Sequence, residues 1–374
     1  MNFDFSDEQK QLRDEARKFL ADRSSSKAVR AILEGPEPFD RDLWKGMAEM
    51  GFLGAAIPEE YGGVDLGHLE LCVIAEELGR AVAPVPMASS IYQAAEALML
   101  AGTETQKQMW LPKLASGEVI GTLALAEGAG RVTEKTIKAQ VANGKLSGVK
   151  SPLADGDVAS LAIVAAREPA GVSLFIVDLD GPGVVRETLE TIDPTRSQAK
   201  VVFEGAPAER LGEPGQGWRI VSDVLDRAAV LIAFEQVGGA DRALEMARDY
   251  ALERMAFGRQ IGSFQAIKHM LADMYVSATL ARSNAYYGAW ALSTGSAELP
   301  VAAATGRVSA TQAYQHCAKN NIQVHGGMGF TWAFDCHLFY RRANGLALAI
   351  GSQTTWEDLL IERMRRRNDA PVAA

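Results

Sequence analysis

Paired cysteines are missing from this sequence. Its three, Cys72, Cys317 and Cys336, are odd in number, widely spaced and free of any Cys-x-x-Cys pair. Neither a disulfide framework nor a cysteine zinc site is indicated, and a reducing, cytoplasmic setting fits. Long hydrophobic runs are missing too: no stretch approaches the roughly 18 apolar residues of a membrane-spanning helix. From Met1 to Lys18 charges recur every few residues with no apolar block between them, which does not match a secretory leader. Membrane insertion and export are therefore not expected. Positive charge is in deficit, with 38 Lys and Arg against 47 Asp and Glu, a net charge of −9. That balance argues against a nucleic-acid or anionic-membrane surface, although a few local arginines can still hold an anionic ligand. Repeats of 20 to 50 residues and low-complexity tracts are also absent.

What remains is a globular composition, 48% apolar and 23% charged over 374 residues, enough for two or three packed regions. Ser6-Asp7-Glu8-Gln9 reads as a helix start, and Leu12, Ala16, Phe19 and Leu20 follow as an apolar stripe at helical spacing. The loop Ile57 to Gly63 interrupts this pattern, which resumes over Leu69 to Leu78 and Ile91 to Leu100. Beyond Gly121 the period shortens. Asn143-Gly144 lies between alternating runs, a hairpin signal, and Leu161 to Ala166, Ser173 to Val177 and Lys200 to Phe203 read as strands. After the Gly-rich turn Gly212 to Gly217, helical periodicity returns over Trp218 to Glu253, Phe264 to Leu292, Val301 to Val324 and a segment near the end. The basic stretch Arg363 to Arg367 reads as a solvated end.

The usual chemical motifs are scarce. Gly128-Ala129-Gly130 lacks the third glycine of a dinucleotide fingerprint and opens no long helix. His316 and Cys317 are sequence neighbours, so on a helix they point apart, and core packing explains them better than a nucleophile and base. Two segments resist a bland explanation. One runs from Tyr250 through Arg254-Met255-Ala256-Phe257-Gly258 to Phe264-Gln265 and Asp273. The other is Gln323-Val324-His325-Gly326-Gly327-Met328-Gly329-Phe330, a helix ending in glycines that let backbone N–H groups approach a ligand.

Both segments resemble signatures of the acyl-CoA dehydrogenases. The likeness extends through the opening helix, Pro58-Glu59-Glu60-Tyr61-Gly62-Gly63, Glu76-Glu77-Leu78-Gly79 and Gln106 to Gly117. The resemblance implies an α+β fold: an N-terminal all-α domain over 1–117, a β-barrel-like middle domain over 118–212 and a C-terminal four-helix bundle over 213–374. It implies FAD as cofactor, an acyl-CoA substrate, a tetramer and an electron-transfer flavoprotein as acceptor. Arg254, Phe257, Gly258, Gln265, Gln323, Gly326 and Gly327 correspond to residues that hold the ADP half of FAD, largely for the neighbouring subunit's flavin. Charge, amide donors and an aromatic suit a diphosphate and its rings.

The resemblance fails where the chemistry should be. A family member needs a carboxylate to remove the α-proton while the β-hydride passes to flavin. Ungapped counting places Ile350 at the usual position of that Glu and Ala228 at the position used by some relatives. Asp226 and Glu235 stand nearby as replacement candidates. The Thr-Glu-Pro loop of the family is represented by Ala126-Glu127-Gly128-Ala129-Gly130-Arg131, and its Lys-x-Trp-Ile-Thr stretch by Lys150-Ser151-Pro152-Leu153-Ala154. The ring-side hydroxyls and tryptophan are thus lost while the ADP side is kept. That division suits a subunit that completes a partner's FAD site in a heteromer, as in bacterial enzymes acting on sterol side chains. Two alternatives stay open: a self-sufficient homotetramer with a relocated base, and a flavin monooxygenase on the same fold.

Overall fold

The computed structural model describes residues 5–369. The leader reading on the first four residues, and the ends of the outer domain boundaries, lie outside the described residues. Twelve α-helical and ten β segments follow one another in three blocks among the described residues. The first is helical: α1 (Asp7–Arg23), α2 (Ser26–Glu34), α3 (Arg41–Glu49), α4 (His68–Arg80), the short α5 (Met87–Ser89), α6 (Glu96–Ala101) and α7 (Glu104–Ala115). The second is the sheet: β1 (Gly121–Ala124), β2 (Gln140–Ala142), β3 (Lys145–Ala154), β4 (Leu161–Glu168), β5 (Gly171–Asp178), β6 (Val184–Leu189), β7 (Gln198–Pro207) and β8 (Glu209–Leu211). The third holds α8 (Gly217–Glu253), the strands β9 (Met255–Ala256) and β10 (Arg259–Gln260), α9 (Gln265–Ser293), α10 (Leu299–His325), α11 (Cys336–Leu348) and α12 (Gln353–Asp369).

By compactness the chain divides differently. One unit gathers Arg30–Leu71 and Pro84–Ala228; the other gathers Met1–Val29, Cys72–Ala83 and Ala229–Ala374. The first is called the sheet unit below and the second the helical unit.

In the sheet unit the strand order is β6-β7-β3-β2-β4-β5-β8, with β1 paired in parallel to β4. The Asn143-Gly144 signal is realised as the β2–β3 hairpin, with both residues at positive φ (52° and 72°). Every residue from Leu161 to Ala166 in β4 is buried, as suits a strand that is apolar throughout and has no solvent face. The run Ile91 to Leu100, read above as one helix, departs from that reading. Ser90–Ala95 forms a π-helical turn before α6 begins. All six residues of this turn are buried, so the segment carries no amphipathic stripe whose shift in phase could announce the inserted residue.

In the helical unit α1 starts with the capping box anticipated at Ser6, whose hydroxyl accepts from Gln9 N while the Gln9 side chain accepts from Ser6 N. Glycines bring α4 and α8 almost into backbone contact. A Cβ on Gly79 would fall 1.7 Å from Glu235 O, and one on Gly238 would fall 1.8 Å from Glu76 O. This accounts for the glycine of the Glu76 to Gly79 motif, and for Gly238 facing it, by packing. Small residues also line the seam between α9 and α10: Ala278, Ala281, Ala285 and Ala289 on one helix, Gly306, Ala310 and Ala313 on the other, all buried. The final helical segment is two helices, α11 and α12, broken at Ala349 to Ser352. The basic stretch read as a solvated end belongs to α12 and is tethered: Arg363 donates to Pro300 O at 2.6 Å and Arg367 pairs with Glu298 at 3.1 Å.

Candidate active site

Within the sheet unit, the two segments expected at the flavin ring are joined. Gly128 N donates to Ser151 O and Ser151 N donates to Ala126 O, both at 2.8 Å. Beneath them the fully buried Lys150 ammonium donates to Glu127 Oε1 at 2.7 Å and to Leu125 O at 3.2 Å. Glu127 also accepts from the backbone N–H groups of Lys138 and Ala139. Burial pulls the Lys150 pKa below its ordinary value, against the opposing pull of Glu127. Each partner of the pair lies in a segment singled out above, but neither segment alone reveals the pairing. The rigid part of the loop is therefore its root. Its tip, Gly128 to Arg131, is exposed and offers no side-chain hydroxyl.

Asp155, at the end of β3, is a second buried group that sequence reasoning missed. It accepts from Ser89 Oγ at 2.6 Å and from Ser197 Oγ at 3.3 Å. Burial raises its pKa, partly offset by those two hydroxyls and by Arg196. Nothing in the local sequence marks it, because its donors are 66 and 42 residues away.

The positions for a base lie in different settings. Ala228 is fully buried and ends the sheet unit; Asp226, two residues earlier, is also buried. Ile350 lies in the break between α11 and α12 and is nearly buried. Glu235 sits in the interior of the helical unit beside the equally buried Arg342, with Nη1 to Oε1 at 3.4 Å. Arg342 also donates to the carbonyls of Ala83 and Val82. A second buried arginine, Arg307, donates to Gln236 Oε1 at 2.7 Å and to Leu346 O. Desolvation pushes its pKa down to about 9, with Glu235 opposing. Glu235 thus acts as an acidic counterweight to two interior guanidiniums, a structural commitment that a mobile general base does not share.

Within the helical unit, where the resemblance leads one to expect the ADP half of a cofactor, α8 ends at Glu253 and β9 and β10 close a tight hairpin. Phe257 and Gly258 occupy its two central positions at φ 52° and 78°. Paired positive φ values match the twist of a two-residue hairpin, and a phenylalanine there adopts a conformation that few side chains favour. The Phe257 ring is 94% exposed and meets Phe264 edge-on at 6.1 Å, with the Arg259 guanidinium 4.2 Å above Phe264. Arg254 and Gln265 are exposed, and the Arg254 side chain has no hydrogen-bond or ion-pair partner among the described residues.

The second of the two segments singled out in the sequence ends α10. Gln323 is exposed, and Gly326 terminates the helix at φ 59°. His325 donates through Nδ1 to Asn321 O at 2.8 Å, while its ring stacks on Tyr250 at 4.1 Å. Gly327 does not have a positive φ, and a Cβ added to it would meet no atom within 4 Å. Nothing within the described residues of this chain requires a glycine there.

Comparison with known proteins places these features. Residues 6–118 match the acyl-CoA dehydrogenase N-terminal domain and residues 215–364 the C-terminal domain. Acyl-CoA dehydrogenase IpdE2 of Mycobacterium tuberculosis is 32% identical over 348 residues, covering 92% of this chain and 94% of the relative. The chain belongs to the acyl-CoA dehydrogenase family. Among solved structures, glutaryl-coenzyme A dehydrogenase with glutaryl-CoA superposes with a TM-score of 0.91 at 27% identity, covering 98% of this chain and 97% of that one. A Tcur3481-Tcur3483 steroid ACAD variant gives 0.89 at 30% identity, covering 97% and 99%. The ChsE4-ChsE5 complex of Mycobacterium tuberculosis gives 0.89 at 27%, covering all of both chains. As an acyl-CoA dehydrogenase the chain is an oxidoreductase of the type acting on CH–CH bonds, in a family that typically binds FAD. The order helical, sheet, helical follows the family fold.

Proposed function

We propose that this chain is one subunit of a heteromeric, FAD-dependent acyl-CoA dehydrogenase, and that it completes the FAD site of a partner subunit that carries the catalytic Glu. The observation that carries this reading is Gly327 beside Gly326: an open, unhindered glycine pair whose smallness serves no contact among the described residues of its own chain. Together with exposed Arg254, Phe257, Gly258, Gln265 and Gln323, it fits the ADP half of a dinucleotide. Arg254 would meet the diphosphate, the glycine amides would approach it, and Phe257 would flank a ring. The ring side fits poorly, because the tip of its loop has no hydroxyl and Pro152 and Ala154 replace the flavin-covering residues.

Bound FAD supplies the hydride acceptor for α,β-dehydrogenation of an acyl-CoA thioester. This chain's own part is to bind, orient and exclude water. No carboxylate stands at Ala228 or Ile350, and Glu235 is held by Arg342. A general base contributes roughly 10²- to 10⁴-fold in rate, too much to forgo; Asp226 is the candidate left in this chain, and in this reading the base belongs instead to the partner. Two of the structural relatives named above are two-component in name, which supports the same assembly and a sterol-type acyl group. An electron-transfer flavoprotein is the acceptor in this reading.

The test is the visible spectrum and flavin count of the purified chain, alone and co-expressed with a family member that retains the Glu. A colourless lone chain and a complex with about one flavin per two chains support the proposal. Near-full flavin occupancy of the lone chain overturns it and restores Asp226 as the relocated base.

A further inference from the structure

The helical unit contains a cavity that the dehydrogenase reading leaves unused. It measures about 400 Å³ and lies among α1, the start of α2, the end of α4, α8 and the start of α11. That size falls within the range of small-molecule sites. Its floor is apolar, from Leu20, Val29, Leu338 and Phe339, all buried. None of the FAD-side residues named above lines it.

Three guanidiniums stand over this floor. Arg17 is satisfied as a bidentate pair with Glu77, at 2.9 and 2.7 Å. Arg80 and Arg242 differ: both donate to the same atom, Glu245 Oε2. One carboxylate oxygen therefore serves two cations. Nε and Nη1 of Arg80, and Nε and Nη2 of Arg242, have no other partner among the described residues. The Arg80 side chain is 18% exposed and that of Arg242 43%, so the spare donors of Arg80 in particular sit in a partly desolvated setting where a second acceptor is favoured. Asp335 also lines the cavity and sets a limit on how much negative charge the site accepts.

One wall of the cavity, beside Arg80, is held in place. Val82 lines the cavity at φ 49°, a left-handed conformation that a β-branched residue rarely adopts. Its carbonyl accepts from the buried Arg342 at 3.3 Å, and its N–H donates to Gly79 O at 3.2 Å. Buried Arg342 thus fixes the shape of one side of the cavity without being part of it.

We propose that this cavity binds an amphipathic monocarboxylate: a short hydrocarbon or aryl body on Leu20, Val29, Leu338 and Phe339, with its carboxylate on Arg80 and Arg242. The Arg80–Arg242–Glu245 group carries one excess positive charge, which Asp335 in the same lining opposes, so the site accepts no more than a single negative charge. A polyphosphate would face Asp335 and Glu77 as well. This site is separate from the acyl-CoA reading and does not depend on it.

Titration calorimetry on the full chain with octanoate, octan-1-ol and acetate tests the proposal. Octanoate saturates one site, and the alcohol and acetate bind on the order of tenfold more weakly or worse, since one lacks the charge and the other the body. Ala21→Phe fills the cavity from an exposed position on α1 and abolishes the octanoate signal while the thermal melt is unchanged. Arg242→Gln weakens octanoate but not octan-1-ol. Octanoate bound instead in an acyl-CoA site would be indifferent to Ala21→Phe, and that result overturns the proposal. Absence of saturable binding, or equal affinity for the alcohol, does the same.

Discussion

Glu96 shows what a single buried charge does in this molecule. Its side chain is fully buried at the start of α6, directly after the π-helical turn, and takes His68 Nε2 at 2.6 Å and Arg227 Nη1 at 3.2 Å. Burial alone would raise its pKa; His68 and Arg227 together outweigh burial and hold it below the ordinary value. The linkage follows from that direction. A carboxylate whose folded pKa lies below its unfolded value, about 4.3, contributes stability that is fully present above the unfolded value. That contribution is lost as pH falls through the folded pKa. Glu96→Gln is expected to lower stability by about 3 to 5 kcal/mol at neutral pH, because it leaves Arg227 facing a buried neutral group. The gap between wild type and variant, measured by denaturant melts, should hold constant from pH 7 to about 5 and narrow toward pH 3. A gap that widens on acidification contradicts the assignment. Arg227 directly precedes Ala228, so the vacated base position is flanked by an arginine already neutralised from within its own unit.

At the scale of elements, two kinds of glycine carry different meanings, and their substitution separates packing from ligand approach. Gly79 lets α4 touch α8, and a methyl group there would overlap Glu235 O. Gly79→Ala is expected to cost about 1 to 3 kcal/mol or more as an overpacking change, read as a lower melting midpoint of the lone chain. Gly327 has open space around it, so Gly327→Ala should leave that midpoint unchanged or slightly higher. The same change should reduce flavin retained by the co-expressed complex. If Gly327→Ala complexes keep their full flavin, the glycine is not there for the cofactor. Much at this scale is legible in the sequence. The capping box at Ser6, the Asn143-Gly144 hairpin and the long helices of the third block rest on local signals between near neighbours. The π-turn at Ser90–Ala95 is hidden because every residue in it is buried, leaving no polar face to show the shift in phase. The Glu235–Arg342 and Ser89–Asp155 contacts are hidden because they join residues 107 and 66 positions apart, and no local rule reports a partner at that distance. Glu235 looks available as a base only while Arg342 is out of view.

For the whole molecule, the two halves of the proposed cofactor site differ in how far they keep the family motifs. Loss of function alone would erode both. Here the exposed motifs proposed for the ADP half are present, while the two ring-side segments keep the Glu and Lys of the family motifs as the buried Glu127–Lys150 pair and lack the hydroxyls and tryptophan around it. A buried lysine paired with a carboxylate, with backbone groups of Leu125, Lys138 and Ala139 completing their hydrogen bonds, is a maintained structure. Reinstating a carboxylate should therefore not recreate a dehydrogenase in the lone chain. Ile350→Glu and Ala228→Glu, each assayed for acyl-CoA-dependent dye reduction, are expected to remain at background. A base contributes only roughly 10²- to 10⁴-fold, about 3 to 5 kcal/mol of barrier, and acts only on a substrate already oriented against bound flavin. Ala228→Glu carries a second handicap, since a fully buried carboxylate without a partner is expected to take up a proton and destabilise the fold. Ile350→Glu, in the less regular break between α11 and α12, tolerates the charge better and is the stricter trial. Turnover by that variant without a partner would mean that the ring side still seats a flavin, and the division of labour between subunits would fall with it.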